Sequence, residues 1–352
     1  MKSTVGYSQS RKYKIILNSW EYWPLQVLYI PLFLYACWLA IKARSLTFFT
    51  NVNPLITASG LMGSSKFELL NHLPSQYIPL TILVENTAAV VDNTKFIQDN
   101  HLQFPLIIKP DKAERGIGVY FINDLTKFAE ILRQINYPIV IQSYIDYPLE
   151  YGVFYIKMPN SSKGEIVSIV KKEFMMVTGD GISSVADLMH QNDRSYLILE
   201  KWLKNRHALL KYVPNADENI LLEPIGNHNR GTKFLNENHL INAKMASIFD
   251  SICSHIPEFY YGRIDLKCVS ENDLYTGENL KIMEVNGINS EPAHIYDPKI
   301  SYITGLKTII QYWDKIYEIS QQNSERGLMP SSLKMLYFAY NERKKAIQSR
   351  NK

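Results

Sequence analysis

Cysteine is scarce in this chain. Cys37, Cys253 and Cys268 are widely spaced and form no Cys-x-x-Cys pair. That excludes a zinc ribbon or a disulfide framework and is what a reducing compartment leads one to expect. A strong charge of either sign is also missing. Lys and Arg number 38 against 34 Asp and Glu, a net +4 over 352 residues, too little to mark a nucleic-acid-binding protein. There is no internal repeat and no low-complexity block. Charged residues make up only 20% and hydrophobic ones 46%, which excludes disorder and allows two or three domains with real cores.

The small charge excess is concentrated at the N-terminus. Residues 1–44 hold Lys2, Arg11, Lys12, Lys14, Lys42 and Arg44 against one acid, Glu21. Within them residues 25–41 form an apolar run preceded by Trp20, Tyr22 and Trp23. As a helix the run would extend about 25 Å, short of the roughly 30 Å hydrocarbon core, and Pro31 would kink it. One reading is a helix buried between a sheet and a neighbouring domain. The other is a helix lying in a membrane interface with aromatic and basic flanks. A secretory signal is not expected, because no small-x-small cleavage site follows the run.

Patterning along the rest predicts short strands alternating with helices. Residues 14–17 and 45–49 read as strands, 65–72 as a helix, 78–84 as a strand and 87–100 as a helix. Residues 104–110 and 119–122 read as a hairpin around a glycine loop, followed by a helix over 125–136. Strands are expected at 139–145, 150–158, 165–174 and 220–226, and helices at 183–191, 196–210, 237–255, 304–321 and 332–348. The domains expected are a reduced N-terminal domain (1–85, with an apolar helix over 24–44), two α+β units (86–180 and 181–325), and a C-terminal helix with a basic tail (326–352).

Two segments near the C-terminus carry the chemistry. They run from Tyr260 to Lys267 and from Leu280 to Gly287. As strands they put Arg263, Asp265 and Lys267 on one face and Ile264, Leu266 and Cys268 on the other. Glu284 and Asn286 likewise oppose Met283 and Val285. Paired side by side, the strands aim an arginine and hard oxygen ligands at one point, as a magnesium nucleotide requires.

Over residues 64–298 the order of motifs resembles the ATP-grasp superfamily, nearest its D-alanine–D-alanine ligase-like and amino-acid-ligase branches, the latter glutathione-synthetase-like and cyanophycin-synthetase-like. The resemblance implies an α+β fold in which two subdomains clasp ATP. It implies phosphate contacts from Lys66 and Lys109 and a flexible flap around Gly116 and Gly118, where glycine lets backbone N–H groups approach phosphate oxygens. An adenine-binding hinge is implied at Gln142, Ser143, Tyr144 and Ile145, with Gln142 in place of the usual glutamate, and a ribose-binding acid at Glu150. Lys172 falls where relatives carry a phosphate-facing arginine. The loop 227–232 and the turn 178–181 resemble glycine-containing loops of the same relatives, which gives Arg230 a substrate carboxylate to hold. Asp265, Glu284 and Asn286 are implied ligands of two Mg2+ ions, with Mn2+ as an alternative, and Arg263 the transition-state stabiliser.

The activity implied is ATP-dependent joining of a small carboxylate to an amine through an acyl phosphate. His228, His255 and His294 qualify for proton transfer by residue type alone. Glu291, His294 and Asp297 form an acidic stretch where dipeptide-forming relatives have small residues, which suits a cationic or amine-bearing acceptor; the alternative is that Glu291 and Asp297 cap the next helix. Two further readings stay open: a phosphotransferase that stops after one phosphate, and a membrane-surface scaffold that binds nucleotide. A cytoplasmic location is expected, with peripheral contact at the inner membrane surface through residues 1–44 as an option, and a homodimer as an alternative to a monomer.

Overall fold

A computed structural model describes residues 7–112, 118–205, 207–226 and 228–348. The chain opens on helices. Residues 14–17, expected as a strand, lie inside α1 (Gln9–Asn18), which buries Ile15 and leaves Tyr13 and Leu17 in solvent. The three apolar residues Ile15, Ile16 and Leu17 fit either period, and here packing chose the helical one. After α2 (Leu25–Leu28), α3 (Ile30–Lys42) starts afresh. Pro31 sits in its first turn, where the missing N–H costs nothing, so it marks a helix start rather than a kink. Residues 45–49 are likewise no strand. They turn into a 3-10 helix (Phe48–Asn51) that buries Phe48.

The apolar helix is not buried between a sheet and a domain. Only Leu32, Leu39 and Ala40 of α3 are buried, on the side facing the long helix Tyr302–Glu325. Tyr35 is half-buried and bonds Asp314 of that helix, while Ile30, Phe33, Leu34, Trp38 and Ile41 are exposed.

The α4 helix (Lys66–Asn71) is capped by Ser65, whose side chain accepts from Glu68 N–H. A four-stranded sheet follows, built from β1 (Thr81–Val84), β2 (Leu106–Pro110), β3 (Tyr120–Ile122) and β4 (Ile139–Ser143), in the order β1-β4-β2-β3. Helices α5 (Asn93–Asp99) and α6 (Leu125–Gln134), each capped by an aspartate, cover it. The single helix expected over 87–100 is divided, a 3-10 turn at Thr87–Ala89 preceding the Asp92 cap of α5.

The larger sheet comprises β5 (Leu149–Ile156), β6 (Glu165–Glu173), and three strands from further on. A separate ribbon of β7 (Met176–Thr178) and β8 (Asn219–Leu221) brackets helices α7 (Val185–Gln191), α8 (Asp193–Asn205) and α9 (His207–Leu210). β8 stops at Leu221 instead of reaching 226, three residues short of Pro224, which has no N–H to pair. Then come β9 (Lys233–Asn236), α10 (Ala243–Cys253), β10 (Tyr261–Cys268), α11 (Asp273–Thr276) and β11 (Leu280–Asn286), giving the order β11-β10-β5-β6-β9, antiparallel throughout. Helices α12 (Tyr302–Glu325) and α13 (Leu333–Gln348) end the described chain. Since β1 belongs to the small sheet and β5 and β6 to the large one, the sheets divide at different points from the expected boundaries at 85 and 180.

Strand periodicity decides where the core lies. Ile264, Leu266 and Cys268 of β10, with Tyr151, Val153 and Tyr155 of β5, pack under α10 against Phe249 and Ile252. Each such fully buried side chain contributes roughly 1.5–3 kcal/mol. On the opposite face, Glu150, Arg263, Asp265 and Lys267 line the space between the sheets, while Phe154, Ile156 and Tyr261 pack with Tyr312 and Ile316 of the helix Tyr302–Glu325.

Candidate active site

Between the two sheets lies a cavity of about 770 Å³. On its large-sheet side, β10 and β11 pair in the register Arg263↔Asn286 and Asp265↔Glu284, so the four polar side chains stand together as alternation demands. Arg263 grips Asp265 as a fork, Nε and a terminal nitrogen each 3.0 Å from one carboxylate oxygen. Lys172 of β6 approaches Asp265 to 3.1 Å and Glu150 of β5 to 2.9 Å. The Asn286 amide donates to Asp265 at 3.1 Å. Burial pushes the Asp265 carboxyl up, but Arg263 and Lys172 outweigh it and hold it down at about 2. Burial opposes the charge on Lys172 as well, and Asp265 and Glu150 outweigh that. Asp265 is therefore a fixed negative charge at the centre of a buried ion network.

A bulge after Asp265 shifts the register so that Leu266 faces Ile282. It brings Met283, expected on the apolar face, into the cavity wall and presents its carbonyl to Lys109 at 2.9 Å. Lys109 projects from β2 in the small sheet and also donates to Gln142 Oε1 at 3.0 Å. Burial pulls its ammonium down to about 8. The other end of the Gln142 amide donates to Thr81, so this side chain braces Lys109 and is not offered to an adenine edge. Asp111 fixes Lys66: it accepts from Ser65 Oγ and from Phe67 N–H, seating the first turn of α4. Lys66 Nζ then lies 3.6 Å from Glu284.

Ser143, the last residue of β4, and Tyr144 and Ile145 just past it line the same cavity. Lys267 is beside them, 4.6 Å from the centre of the Tyr144 ring and donating to the Ile145 carbonyl at 2.9 Å. The β10 alternation had placed Lys267 on the site face, but its link to the hinge depends on a contact 122 residues away.

The N-terminal segment forms a wall of the cavity that no motif announced. Lys12, Ile16, Glu21, Tyr22, Trp23 and Tyr29 line it. Glu21 receives two hydrogen bonds from Arg194 of α8, at 2.8 and 2.7 Å, and lies 2.9 Å from His228 Nε2. Burial works against the Glu21 charge, yet His228 and Arg194 together lower its pKa. The available signal was Glu21 itself, the lone acid among 44 residues, set in an aromatic cluster.

After β11 the chain is clamped by close backbone contact. A Cβ on Gly287 would lie 2.2 Å from the Ser59 carbonyl, and one on Gly60, whose φ is +84°, would lie 2.7 Å from the Gly287 Cα. Asn53, fully buried, bonds Tyr260 N–H, Tyr261 N–H and the Tyr261 carbonyl, tying this clamp to the start of β10. Of the acidic stretch beyond, only Glu291 reaches the cavity. Its partner is the Tyr296 hydroxyl at 2.6 Å, and burial raises its pKa. His294 is buried against Ser168 and pushed down to about 4 by burial. Asp297 accepts from Asn236 and Lys299 N–H. Neither Glu291 nor Asp297 caps α12, since Ser301 does.

Other expected residues are not gathered here. Arg230 pairs with Glu223 at 3.2 Å and is not among the lining residues; Arg194 provides the cavity's arginine on that side. Gly116 and Asn227 lie outside the described residues. Gly118 adopts φ +71° against Pro110. The turn 178–181 is tied by Asp180 to Ser183 away from the cavity, and His255 is exposed past α10.

Among the described residues no three His, Cys, Asp or Glu side chains are gathered as a metal site. What meets on β10 and β11 is two carboxylates and one amide, and Asp265 stays ionised. Hard oxygen donors with a permanent charge fit Mg2+.

Residues 65–159 match the family model described as RimK-like ATP-grasp domain. Similar solved structures include a bifunctional glutathione synthetase from Pasteurella multocida, at 16% identity, covering 74% of this chain and 38% of that one, TM-score 0.36. Another is the VanG D-Ala:D-Ser ligase from Enterococcus faecalis (15%, 75% and 63%, 0.41). A third is the D-alanine–D-alanine ligase from Bacillus anthracis (14%, 77% and 71%, 0.42). The chain thus spans well under two thirds of the first and slightly under two thirds of the second. No curated protein matches the sequence. Taken with the two sheets and the cavity between them, the match makes this an α+β protein of ATP-grasp fold whose residues 65–159 are similar to the RimK-like ATP-grasp domain.

Proposed function

We propose that this chain is an ATP-dependent carboxylate–amine ligase that works through an acyl phosphate. The observation that carries the reading is the placement of Asp265, held ionised by Arg263 and Lys172, across one cavity from Lys66 and Lys109. A substrate carboxylate oxygen attacks the γ-phosphorus of ATP, the bond to the β–γ bridging oxygen breaks, and ADP leaves. The amine nitrogen then attacks the acyl carbon, phosphate departs, and the amine proton passes to solvent.

Asp265, Glu284 and Asn286 are the residues that would hold Mg2+, two ions in this reading; bound there, it would offset charge on the phosphate oxygens. Lys66 and Lys109 supply point charges along the phosphates. Lys109 gains from this, because an anion beside it returns its lowered pKa toward that of an ordinary lysine. Arg263 donates to the phosphoryl group in transfer and then to the oxyanion. Lys172 positions Asp265 and Glu150 rather than touching substrate.

Glu291 is the proposed anchor for a cationic acceptor such as a diamine. Glu291→Gln is expected to raise KM for the cationic amine about 10- to 100-fold, the worth of a hydrogen bond to a charged group, with kcat and nucleotide affinity little changed. Equal KM values for charged and neutral amines in the native protein would defeat this assignment while leaving the ligase reading intact.

The ligase reading is tested by screening acid and amine pairs for ADP release with magnesium-ATP. Release that needs both partners supports it. Phosphate transferred to a single substrate without any amine would make the protein a phosphotransferase, and nucleotide binding without turnover on any pair would make it a scaffold.

A further inference from the structure

The α3 helix presents an apolar stripe to solvent. Ile30, Phe33, Leu34, Trp38 and Ile41 are 59, 68, 65, 51 and 76% exposed, and Cys37 is exposed among them. Their spacing follows one helical face without a gap. The helix cannot roll to hide it, because Leu32, Leu39 and Ala40 are committed to the other side. Contiguous apolar surface of this kind marks a contact site. Nothing in the proposed chemistry uses it.

We propose that this face docks the protein on an anionic lipid surface. Four observations select lipid. The helix has 13 residues, about 20 Å, and among the described residues no helix is long and apolar enough to cross a membrane. The mode must therefore be lying on the surface. Trp38 stands in the stripe beside Phe33, and Trp rings favour the headgroup level.

The rim is basic. Lys42 and Arg44 are exposed at the C-terminal end, and α3 contains no acidic residue. A two-fold contact between copies of the chain would bring these like charges together, whereas anionic headgroups neutralise them.

A second apolar element, carrying the exposed Lys334, starts beside the 3-10 helix that follows α3. Thr50 Oγ1 accepts from Ser331 N–H, and the Asn51 amide donates to the Leu328 carbonyl, both at 2.8 Å. This seats the start of α13 near the end of α3. There Ile41, Leu46, Met329 and Leu333 are 76, 69, 80 and 62% exposed. Further along, α13 exposes Met335, Tyr337, Phe338 and Tyr340. Stable surface binding takes two signals, apolar insertion and electrostatic attraction, and the two helices offer both.

The test is sedimentation of the full chain with vesicles of phosphatidylcholine alone or with about 30% phosphatidylserine. Binding to the anionic vesicles, at least about tenfold weaker to the neutral ones, is expected. Phe33→Ser with Trp38→Ser should lower it at least about tenfold while the circular dichroism melt and nucleotide binding stay unchanged. Lys42→Glu with Arg44→Glu should abolish the preference for anionic lipid. No binding to either vesicle, or binding that ignores both pairs of substitutions, overturns the proposal. A dimer in sedimentation equilibrium that Phe33→Ser with Trp38→Ser dissociates would assign the face to a second copy and overturn it too.

Discussion

Asp265→Asn should lower ATP-dependent turnover by about 10²- to 10³-fold, the loss typical of removing one preorganised electrostatic group from a reacting centre. The substitution preserves shape and removes only charge. It leaves Arg263 at 3.0 Å and Lys172 at 3.1 Å facing a neutral amide, two buried cations with less to balance them. Breaking such a buried pair costs about 3–5 kcal/mol, so a lower melting temperature should accompany the loss of activity. Turnover is read as ADP release and stability as a thermal melt. The two are separated by assaying well below the melt, where the fold is intact. Unimpaired ADP release in a folded Asp265→Asn protein would remove the reason for placing the chemistry between β10 and β11.

Lys172→Met should be nearly as costly to stability and should change its pH dependence in a defined direction. Lys172 bridges Glu150 and Asp265, both almost fully buried. Without the ammonium the two carboxylates lose the cation between them, and Asp265 is left to its pair with Arg263. The Asp265 pKa in the folded protein lies below its ordinary value of 3.8, at about 2. Its contribution is therefore fully present above about pH 4 and is lost as pH falls toward 2. That contribution is about 2 kcal/mol. Lys172→Met shrinks the depression, so acid unfolding should begin at a higher pH than in the native protein, while Lys172→Arg should retain most of the native profile. Acid titration followed by circular dichroism measures this. Superimposable acid transitions for the native and methionine proteins would contradict the bridging role.

Much of the candidate site could be read from β10 and β11, because strand alternation is a local rule and Arg263, Asp265, Glu284 and Asn286 obey it. Lys66 and Lys109 were legible through motif order. What could not be read depended on long-range packing. The Glu21–Arg194 pair joins residues 173 positions apart, and neither lies in a recognisable motif. Met283 entered the cavity wall because of a bulge, which shifts alternation by one residue and leaves no composition signal. Gln142 looked available to a ligand until Thr81 and Lys109 were seen to occupy its amide. Residues 14–17 and 45–49 failed as strands because three apolar residues in so short a segment do not distinguish the two periods. The apolar run was assigned by its total hydrophobicity, which says nothing of which side of the helix is covered.

The passage from Tyr29 to Ile30 spans a single peptide bond, yet Tyr29 faces the cavity and Ile30 belongs to the outward stripe. Trimming the N-terminus to test the proposed lipid contact would thus also remove a wall of the cavity. Deletion analysis would confuse adhesion with chemistry here, and only side-chain exchanges on the outer face can tell them apart.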